Sequence, residues 1–274
     1  MDGAFEGEIG HGALIGAPFE TVRDAIREGR YRGHTAGLAP GRLQVNLAIL
    51  PQAEAEDFLA FCRANPKPCP LVAMSAPGSS KLPGIGADVD AATDAAGYVV
   101  WRDGEPVEER AEAASIWRED LVAFALGCSF TFERALSEAG IRMRHVERDL
   151  TVPMFRTSIE TARRGAFGGG MVVSMRGVPA AQVETARQVT GRYPWAHGAP
   201  IHVGDPAAIG VADLAAPDWG DPLPPAEGEV PVFWACGVTP QNALREARPG
   251  FCITHRPGGM LIAEQGEMDE TPLV

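Results

Sequence analysis

The stretch Pro231-Val-Phe-Trp-Ala-Cys236-Gly237-Val-Thr239-Pro240-Gln241 contains a predicted strand, a tight turn and the start of a helix. The apolar run predicts a buried strand that ends at Cys236-Gly237. Thr239 suits the N-cap of the helix that follows, and Pro240 suits its first position. Backbone N–H groups at such a junction point toward anions, and strand ends commonly carry the functional groups of α/β proteins. The stretch therefore predicts an α/β fold with a site for a small anionic ligand.

Strands and helices alternate on both sides of this stretch, which favours an α/β fold. Strands are predicted at 42–50, 71–74, 171–175, 201–203, 230–235, 251–255 and 260–263, and helices at 18–30, 52–64, 116–126, 130–139 and 180–190. Asp103-Gly104 predicts a hairpin. The middle of the chain has fewer long apolar runs. We therefore expect a larger α/β domain (1–140 plus 229–274) with an inserted smaller α+β domain (141–228), and C-terminal strands that return to the first sheet.

The composition limits the partners and the location of the protein. The chain has 274 residues, a hydrophobic fraction of 45% and a net charge of −12. This charge argues against nucleic acid and anionic membrane surfaces as partners. The first eight residues lack a basic region, and no apolar run is long enough to span a bilayer, so we expect neither a signal peptide nor a membrane anchor. The five cysteines lack CxxC pairing, which is typical of reduced thiols in a cytoplasmic protein.

The segment Gly127-Cys128-Ser129-Phe-Thr-Phe-Glu133 lies where one predicted helix breaks and another begins. A thiol or hydroxyl at a helix N-terminus is activated by the helix dipole. A kinked core helix with a buried cysteine and Ser129 as N-cap explains the same pattern, because free cysteines are commonly buried. Both interpretations stay open.

Arg156, followed by Thr157, ends the apolar run Val152-Pro-Met-Phe. We expect that it is not a free surface charge, because its planar fork could hold a carboxylate bidentately; an interdomain salt bridge is the alternative. Asp218 lies in the acidic turn Pro217-Asp-Trp-Gly-Asp-Pro222, which could hold an amine, orient a histidine or be a plain surface turn.

Histidines follow two of the predicted strands. His197 and His202 are five residues apart, which places them on opposite faces of a strand, and the cysteines are scattered, so we expect no metal site. His197 as a general base beside the turn at Asp205 fits better. Thr254-His255 ends another strand. A base and nucleophile pair of His255 and Cys236 would form if the two strand ends meet, and we expect His255 to titrate near neutrality.

Eight ordered motifs extend this pattern over nearly the whole chain. They are NPKPCPLV (65–72), GCSFTFE (127–133), VPMFRT (152–157), MVVSMR (171–176), AHGAPIHVGDP (196–206), PDWGDP (217–222), EVPVFWACGVTPQ (229–241) and ITHRPGGM (253–260). On these motifs the chain resembles the bacterial "putative hydro-lyase" family that is related to the mitochondrial D-glutamate cyclase. The resemblance implies two α/β-type domains.

The resemblance also implies a carbon–oxygen lyase that needs no cofactor and acts on a small carboxylic or amino acid, because the mitochondrial relative converts D-glutamate to 5-oxo-D-proline and water. A dehydratase of a hydroxy acid and a non-catalytic protein that binds a small acid are the alternatives. Relatives tend to carry a D-x-R-T-D pattern where this chain has Asp90-Ala-Ala-Thr-Asp94. The missing arginine indicates that this member could prefer another acid.

In the lyase interpretation, a base accepts the proton of the substrate amine and a second group protonates the departing hydroxyl. We assign the base to His255 or His197, and proton relay to Cys236, Ser129 or Glu133. Substrate-binding roles are assigned to Arg156, Thr157, Cys128, Ser129, Thr239, Thr254, Asp205 and Asp218. We expect the junctions at 127–129, 236–239 and 254–255 to converge on one pocket. Assembly into a homo-oligomer stays open.

Overall fold

The computed structural model describes residues 9–269. The first eight residues, for which no signal peptide is expected, lie outside the described residues. So do residues 270–274, which are the last five residues of the larger predicted domain. Among residues 9–269, no helix combines the length and the apolar character needed to cross a membrane.

A seven-stranded sheet surrounds β1 (Arg42–Pro51). On one side of β1 lie β5 (Leu121–Gly127) and then β2 (Leu71–Met74). On its other edge β10 (Cys252–His255) and β11 (Leu261–Gly266) lie end to end, and β3 (Tyr98–Arg102) and β4 (Glu105–Arg110) follow outside β10. All the pairings recorded for this sheet are antiparallel. The inner positions of β1 are buried, because the sheet is covered on both faces.

A second, four-stranded antiparallel sheet has the order β6 (Met154–Glu160), β7 (Gly170–Pro179), β9 (Glu229–Ala235) and β8 (His202–Val203). The expectation that all C-terminal strands return to the first sheet is wrong for β9. This strand pairs with β7 from Val173 opposite Ala235 to Pro179 opposite Glu229. The α/β class with two sheets is confirmed, whereas the domain division at residues 141 and 229 stays a prediction.

The helices connect and cover these sheets. They are α1 (His11–Leu14), α2 (Phe19–Arg27), α3 (Gln52–Ala64), α4 (Phe130–Glu138), α5 (Arg144–Glu147), α6 (Val183–Gly191) and α7 (Thr239–Ala247). The helices predicted at 18–30, 52–64, 130–139 and 180–190 correspond to α2, α3, α4 and α6, whose ends differ from the predicted ends by up to three residues. Phe58 of α3 packs edge-on against Phe124 of β5, with ring centroids 4.9 Å apart, so α3 covers one face of the first sheet.

The helix predicted at 116–126 is wrong, because Leu121–Gly127 is strand β5. It pairs with β1 from Pro51 opposite Leu121 to Val45 opposite Gly127, and all seven of its residues are buried. A strand that is buried on both faces shows no alternation of polar and apolar residues. Its apolar run therefore resembles a buried helical segment.

The hairpin at Asp103-Gly104 is confirmed. These two residues have φ angles of 51° and 80° and join β3 to β4. A two-residue turn with positive φ at both positions matches the twist of the strands it connects.

Candidate functional site

Three chain junctions meet at the middle of β1. Asn46 Nδ2 donates to the Gly127 carbonyl at 2.9 Å. Gly237 lies against the same amide, since a Cβ at this position would come within 1.9 Å of Asn46 Nδ2. The next residue, Leu47, donates its N–H to His255 Nδ1 at 3.1 Å. The junctions at Gly127, Gly237 and His255 therefore lie together, and their role as one ligand pocket stays a prediction.

His255 is completely buried at the end of β10. In the neutral ring Nδ1 accepts the Leu47 N–H, and it also lies 3.3 Å from the Leu47 carbonyl, to which the protonated ring would donate. The His255 carbonyl accepts from Gln241 Nε2 at 3.0 Å. Burial lowers the pKa of His255 to about 4, although the main chain of Leu47 partly counteracts this shift. The ring is therefore neutral at pH 7, and the expectation that it titrates near neutrality is wrong.

His197 is also buried, in a left-handed backbone conformation with φ of 75°. Its Nδ1 lies 2.8 Å from the Lys67 carbonyl and donates to it, because a carbonyl can only accept. Burial lowers the pKa of His197 to about 4, and the positive charge of Arg176 contributes to this. Asp205, which was expected to lie beside this base, is exposed and accepts the N–H of Ala207 at the start of a short turn.

Arg176 of β7 is the centre of a buried charged cluster. Its Nε donates to Glu133 Oε1 at 3.1 Å, and its Nη2 donates to the same oxygen. Its Nη1 donates to Ser174 Oγ and its Nη2 to Ser129 Oγ, each at 3.1 Å. The guanidinium carbon also lies 5.4 Å from the centroid of the Trp234 ring. The arginine is thus held on several sides by groups from α4, β7 and β9.

Glu133 and His145 complete this cluster. His145 Nε2 lies 2.9 Å from Glu133 Oε1, and both side chains are buried. Burial by itself raises the pKa of Glu133, but the neighbouring His145 and Arg176 outweigh it and hold the pKa below the ordinary 4.5. Glu133 is therefore ionised at neutral pH. Its other oxygen, Oε2, has no hydrogen-bond partner among residues 9–269. It is free to accept a proton or to bind a cationic group.

A pocket of about 180 Å³ adjoins this carboxylate. Its wall is formed by Glu133, Phe130 and Arg134 of α4, by the loop before β1, and by Arg42 and Gln44 of β1. Gln44 is held in place, because its Oε1 accepts from Thr35 Oγ1 at 2.7 Å. The pocket and the Arg176 cluster together form the candidate functional site.

Cys128 and Cys236 lie in one apolar cluster between the two sheets. Burial raises the pKa of the Cys128 thiol to about 12 and that of the Cys236 thiol to about 11. Both are protonated at neutral pH, and a reactive cysteine requires the thiolate. The geometry therefore gives no support to Cys236 as the nucleophile paired with His255.

The hydroxyl groups of the predicted site are hydrogen-bonded to the main chain, to Arg176 or to Trp101. Ser129 occupies the N-cap position of α4, but its hydroxyl accepts from Arg176 and makes no capping bond. Thr239 is the first residue of α7 and not its N-cap, and its Oγ1 accepts the Val172 N–H at 3.0 Å. Thr157 Oγ1 donates to the Met171 carbonyl at 2.7 Å, and Thr254 Oγ1 accepts from Trp101 Nε1 at 3.0 Å.

Arg156 lies on the surface, with 45% of its side chain exposed. Its Nη1 is 3.1 Å from Asp218 Oδ1, and its guanidinium carbon is 4.7 Å from the centroid of the Trp219 ring. Arg156 is thus on the surface but is not a free charge, since it is paired with Asp218 and stacked on Trp219. The ion pair joins two segments of the same predicted domain, so it gives no support to the interdomain alternative, and a role of Arg156 in substrate binding stays a prediction.

The stretch that lacks the expected arginine is held by an arginine from α2. Asp94 is buried and accepts from Arg27 Nε at 2.6 Å and Nη2 at 2.8 Å. An effect of this stretch on substrate preference stays a prediction.

Sequence reasoning missed three members of the cluster, namely Arg176, Ser174 and His145. Two of them carried a signal, because Ser174 and Arg176 are polar residues two apart in the apolar strand β7. Alternate residues of a strand lie on one face, so this pair indicated a polar patch. His145 lies in a short helix with no comparable pattern.

Fold and site together define an α/β protein with two antiparallel sheets, a buried Arg–Glu–His cluster and an adjoining small pocket. Within residues 122–264 the sequence matches the family model of D-glutamate cyclase, and the chain belongs to this family. This span includes Glu133, Arg176, Cys236 and His255.

Three bacterial relatives named "Putative hydro-lyase" illustrate the similarity. The protein of Jannaschia sp. is 56% identical over 92% of this chain and 95% of its own length. The Bordetella pertussis protein is 55% identical over 92% and 91%, and the Dinoroseobacter shibae protein 52% identical over 98% and 90%. The family resemblance is thereby confirmed. The solved structure of a nitrogen repressor-like protein from Methanococcus jannaschii aligns with 87% of this chain and 96% of its own chain. Its identity of 12% and TM-score of 0.38 are too low to support a conclusion about fold or function.

Proposed function

We propose that this protein is a hydro-lyase, a carbon–oxygen lyase, that acts on a small carboxylic or amino acid. D-glutamate, converted to 5-oxo-D-proline and water, is the first substrate to test. Membership in the D-glutamate cyclase family and the names of the relatives support this proposal. The observation that carries it is Glu133, an ionised and buried carboxylate that lines a pocket and has one free oxygen. The buried free cysteines are in keeping with a cytoplasmic protein, which is part of the proposal.

The chemistry of cyclisation defines what the site has to do. The amino nitrogen attacks the γ-carboxyl carbon, a C–N bond forms, and one C–O bond breaks. The ammonium group loses two protons, and both leave with the carboxyl oxygen as water. A group that takes a proton from nitrogen and returns it to oxygen therefore suffices as general acid and base.

Glu133 suits this role in our proposal. Arg176 and His145 both contact Oε1, so Oε2 is left to accept the ammonium proton. The hydroxyls of Ser129 and Ser174 hold the arginine in place.

Two arginines on the pocket wall complete the proposed site. Arg42 and Arg134 add positive charge where the substrate carboxylates would bind. Both also have partners in the protein, since Arg42 donates to the Glu264 carbonyl and Arg134 pairs with Glu267. They would thus bind substrate from fixed positions.

A buried carboxylate with a shifted pKa in a pocket favours catalysis over simple binding. A product screen by mass spectrometry tests the proposal directly. The purified protein is incubated with D-glutamate, L-glutamate and a panel of hydroxy acids, and loss of one water is recorded. We expect 5-oxoproline from D-glutamate. Loss of water only from a hydroxy acid would replace cyclisation by dehydration, and binding without turnover would identify a small-acid-binding protein.

Replacement of Glu133 tests the assignment of the proton-transfer group. Glu133→Gln should lower kcat by roughly two to four powers of ten, because it removes the proton acceptor. Glu184→Gln, at an exposed glutamate of α6, is the matched control. Circular dichroism verifies that each variant is folded, and Glu133→Asp, which keeps the charge but withdraws it from the pocket, serves if the Gln variant is unstable. Near-normal turnover in a folded Glu133 variant would rule out this assignment.

A further inference from the structure

We propose that His11, His34 and Asp149 form a binding site for a divalent transition-metal ion. These residues are far apart in sequence and meet where α1, the loop after α2 and the turn after α5 come together. One ligand atom from each residue lies within 4.8 Å of the other two. None of the three residues belongs to the Arg176 cluster, so the proposal does not rest on the proposed lyase activity.

The spacing of the three groups suits direct coordination. Asp149 Oδ1 lies 3.1 Å from His11 Nδ1 and 3.0 Å from His34 Nε2. Bonds from zinc to nitrogen and oxygen are about 2.0–2.2 Å long, so neighbouring ligand atoms on one ion are about 2.8–3.1 Å apart at a right angle and about 3.3–3.6 Å apart at the tetrahedral angle. The two measured distances match the right-angle spacing and are about 0.2–0.6 Å shorter than the tetrahedral one. All three ligand atoms lie within 4.8 Å of one another, so one ion can bridge them once the side chains adjust.

The hydrogen bonding of His11 leaves a lone pair directed at the aspartate. His11 Nε2 lies 2.9 Å from the Ala36 carbonyl, which can only accept, so Nε2 carries the proton. In the neutral ring Nδ1 then holds a lone pair, and it faces a carboxylate oxygen that also holds only lone pairs. A cation between the two removes this repulsion. Metal-binding histidines typically donate their other N–H to a carbonyl, as His11 does here.

The two imidazoles are enclosed by the protein, whereas the third ligand, Asp149, is exposed to solvent. Both histidine side chains are largely buried, and their ring centroids lie 4.0 Å apart. The Tyr31 hydroxyl donates to the His34 carbonyl and so fixes that loop. Asp149 is 67% exposed and has a left-handed backbone with φ of 55°. Three protein ligands next to solvent leave coordination positions for water or another molecule, as in catalytic rather than structural zinc sites.

Two imidazole nitrogens with one carboxylate favour zinc, cobalt or nickel over magnesium or calcium, which prefer oxygen ligands. The competing explanation is a protonated His11 that forms an ion pair with Asp149 and needs no metal. The sequence-based expectation of no metal rested on His197, His202 and scattered cysteines. The His11–His34–Asp149 cluster arises only from the tertiary structure, and the proposal replaces that expectation.

Metal titration of the protein, after removal of bound ions with a chelator, decides between these explanations. Isothermal titration with Zn²⁺ and the visible absorption of Co²⁺ should both show one equivalent bound. Asp149→Asn is the principal variant, because an exposed aspartate can be replaced without loss of the fold. His34→Gln is the second variant, and His202→Gln, at a histidine bound only to the Asp205 carbonyl, is the matched control.

We expect Asp149→Asn and His34→Gln to weaken binding of both ions by about 10-fold or more, since loss of even an outer-shell partner costs about 10–100-fold. The His202 variant should bind like the wild type. The absence of one-to-one binding in the wild type, or unchanged binding in both ligand variants, would overturn the proposal and leave the ion-paired histidine as the explanation.

Discussion

Acidification should destabilise this protein through His255, because the folded state encloses the ring in its neutral form. The pKa of His255 is lowered from 6.5 to about 4 in the folded protein. The unfolded chain therefore binds a proton at a higher pH than the folded chain does. The difference of 6.5 − 4 = 2.5 pKa units corresponds to about 3 kcal/mol. Stability is complete above the unfolded pKa and falls as the pH drops from about 6.5 toward 4.

Between pH 7 and pH 4.5, this linkage removes about 2–3 kcal/mol from the free energy of unfolding for His255 alone. His197, whose pKa is also about 4, contributes a similar loss. His255→Asn eliminates the first contribution and retains an acceptor for the Leu47 N–H. Urea unfolding at the two pH values should thus show a pH-dependent loss that is smaller by about 2–3 kcal/mol in the variant.

His202→Asn is the control, because it makes the same substitution at a partly exposed histidine of a surface turn, whose Nε2 lies 2.7 Å from the Asp205 carbonyl. An equal loss of stability on acidification in wild type and His255→Asn would refute the reasoning. The same variant tests His255 as a general base. If His255 is the general base, its replacement should lower kcat by roughly two to four powers of ten. If His255 is only a structural residue, kcat of the variant should stay close to that of the wild type.

Two further substitutions test the packing described above. Gly237→Ala should destabilise the protein by about 1–3 kcal/mol or more, because the new Cβ would overlap the Asn46 amide. Gly250→Ala is the control, because a Cβ at position 250 meets no atom within 4 Å. Thermal unfolding measures the stability of the two variants. Arg156→Ala should lower the free energy of unfolding by no more than about 1 kcal/mol, since its pair with Asp218 is exposed. A large loss of activity in a folded Arg156→Ala variant would instead support the hypothesis that Arg156 binds a substrate carboxylate.

Local signals in the sequence predicted those elements whose structure depends on near neighbours. The hairpin at Asp103-Gly104 follows from two residues that tolerate positive φ. Helix α3 follows from its acidic first turn and the prolines beyond its end. Strand β5 was mistaken for a helix, because its identity depends on being enclosed between β1 and β2. The sheet to which β9 belongs depends on long-range pairing that no local pattern records.

The site was predicted in part for the same reason. The junctions at Gly127, Gly237 and His255 carry turn and strand-end signals, and the structure brings them together. The roles given to their side chains depended on burial, which a single sequence does not report. Burial leaves the His255 ring neutral and Cys236 protonated, whereas His145 and Arg176 keep Glu133 ionised against the effect of burial. Partners from distant segments thus decide the charge of each group.

The position of β10 and β11 has a consequence for how this protein folds. They complete one edge of the central strand β1, yet Cys252 follows Gly127, the end of the preceding strand of that sheet, by 252 − 127 = 125 residues. During synthesis on a ribosome, all four strands of the second sheet emerge before β10 and β11. One edge of β1 therefore stays without its native partner strands over this interval. An unpaired central edge is a template for wrong strand pairing, and contacts so distant in sequence form slowly. We therefore expect the emerging chain to be most prone to wrong strand pairing until β10 and β11 have been made.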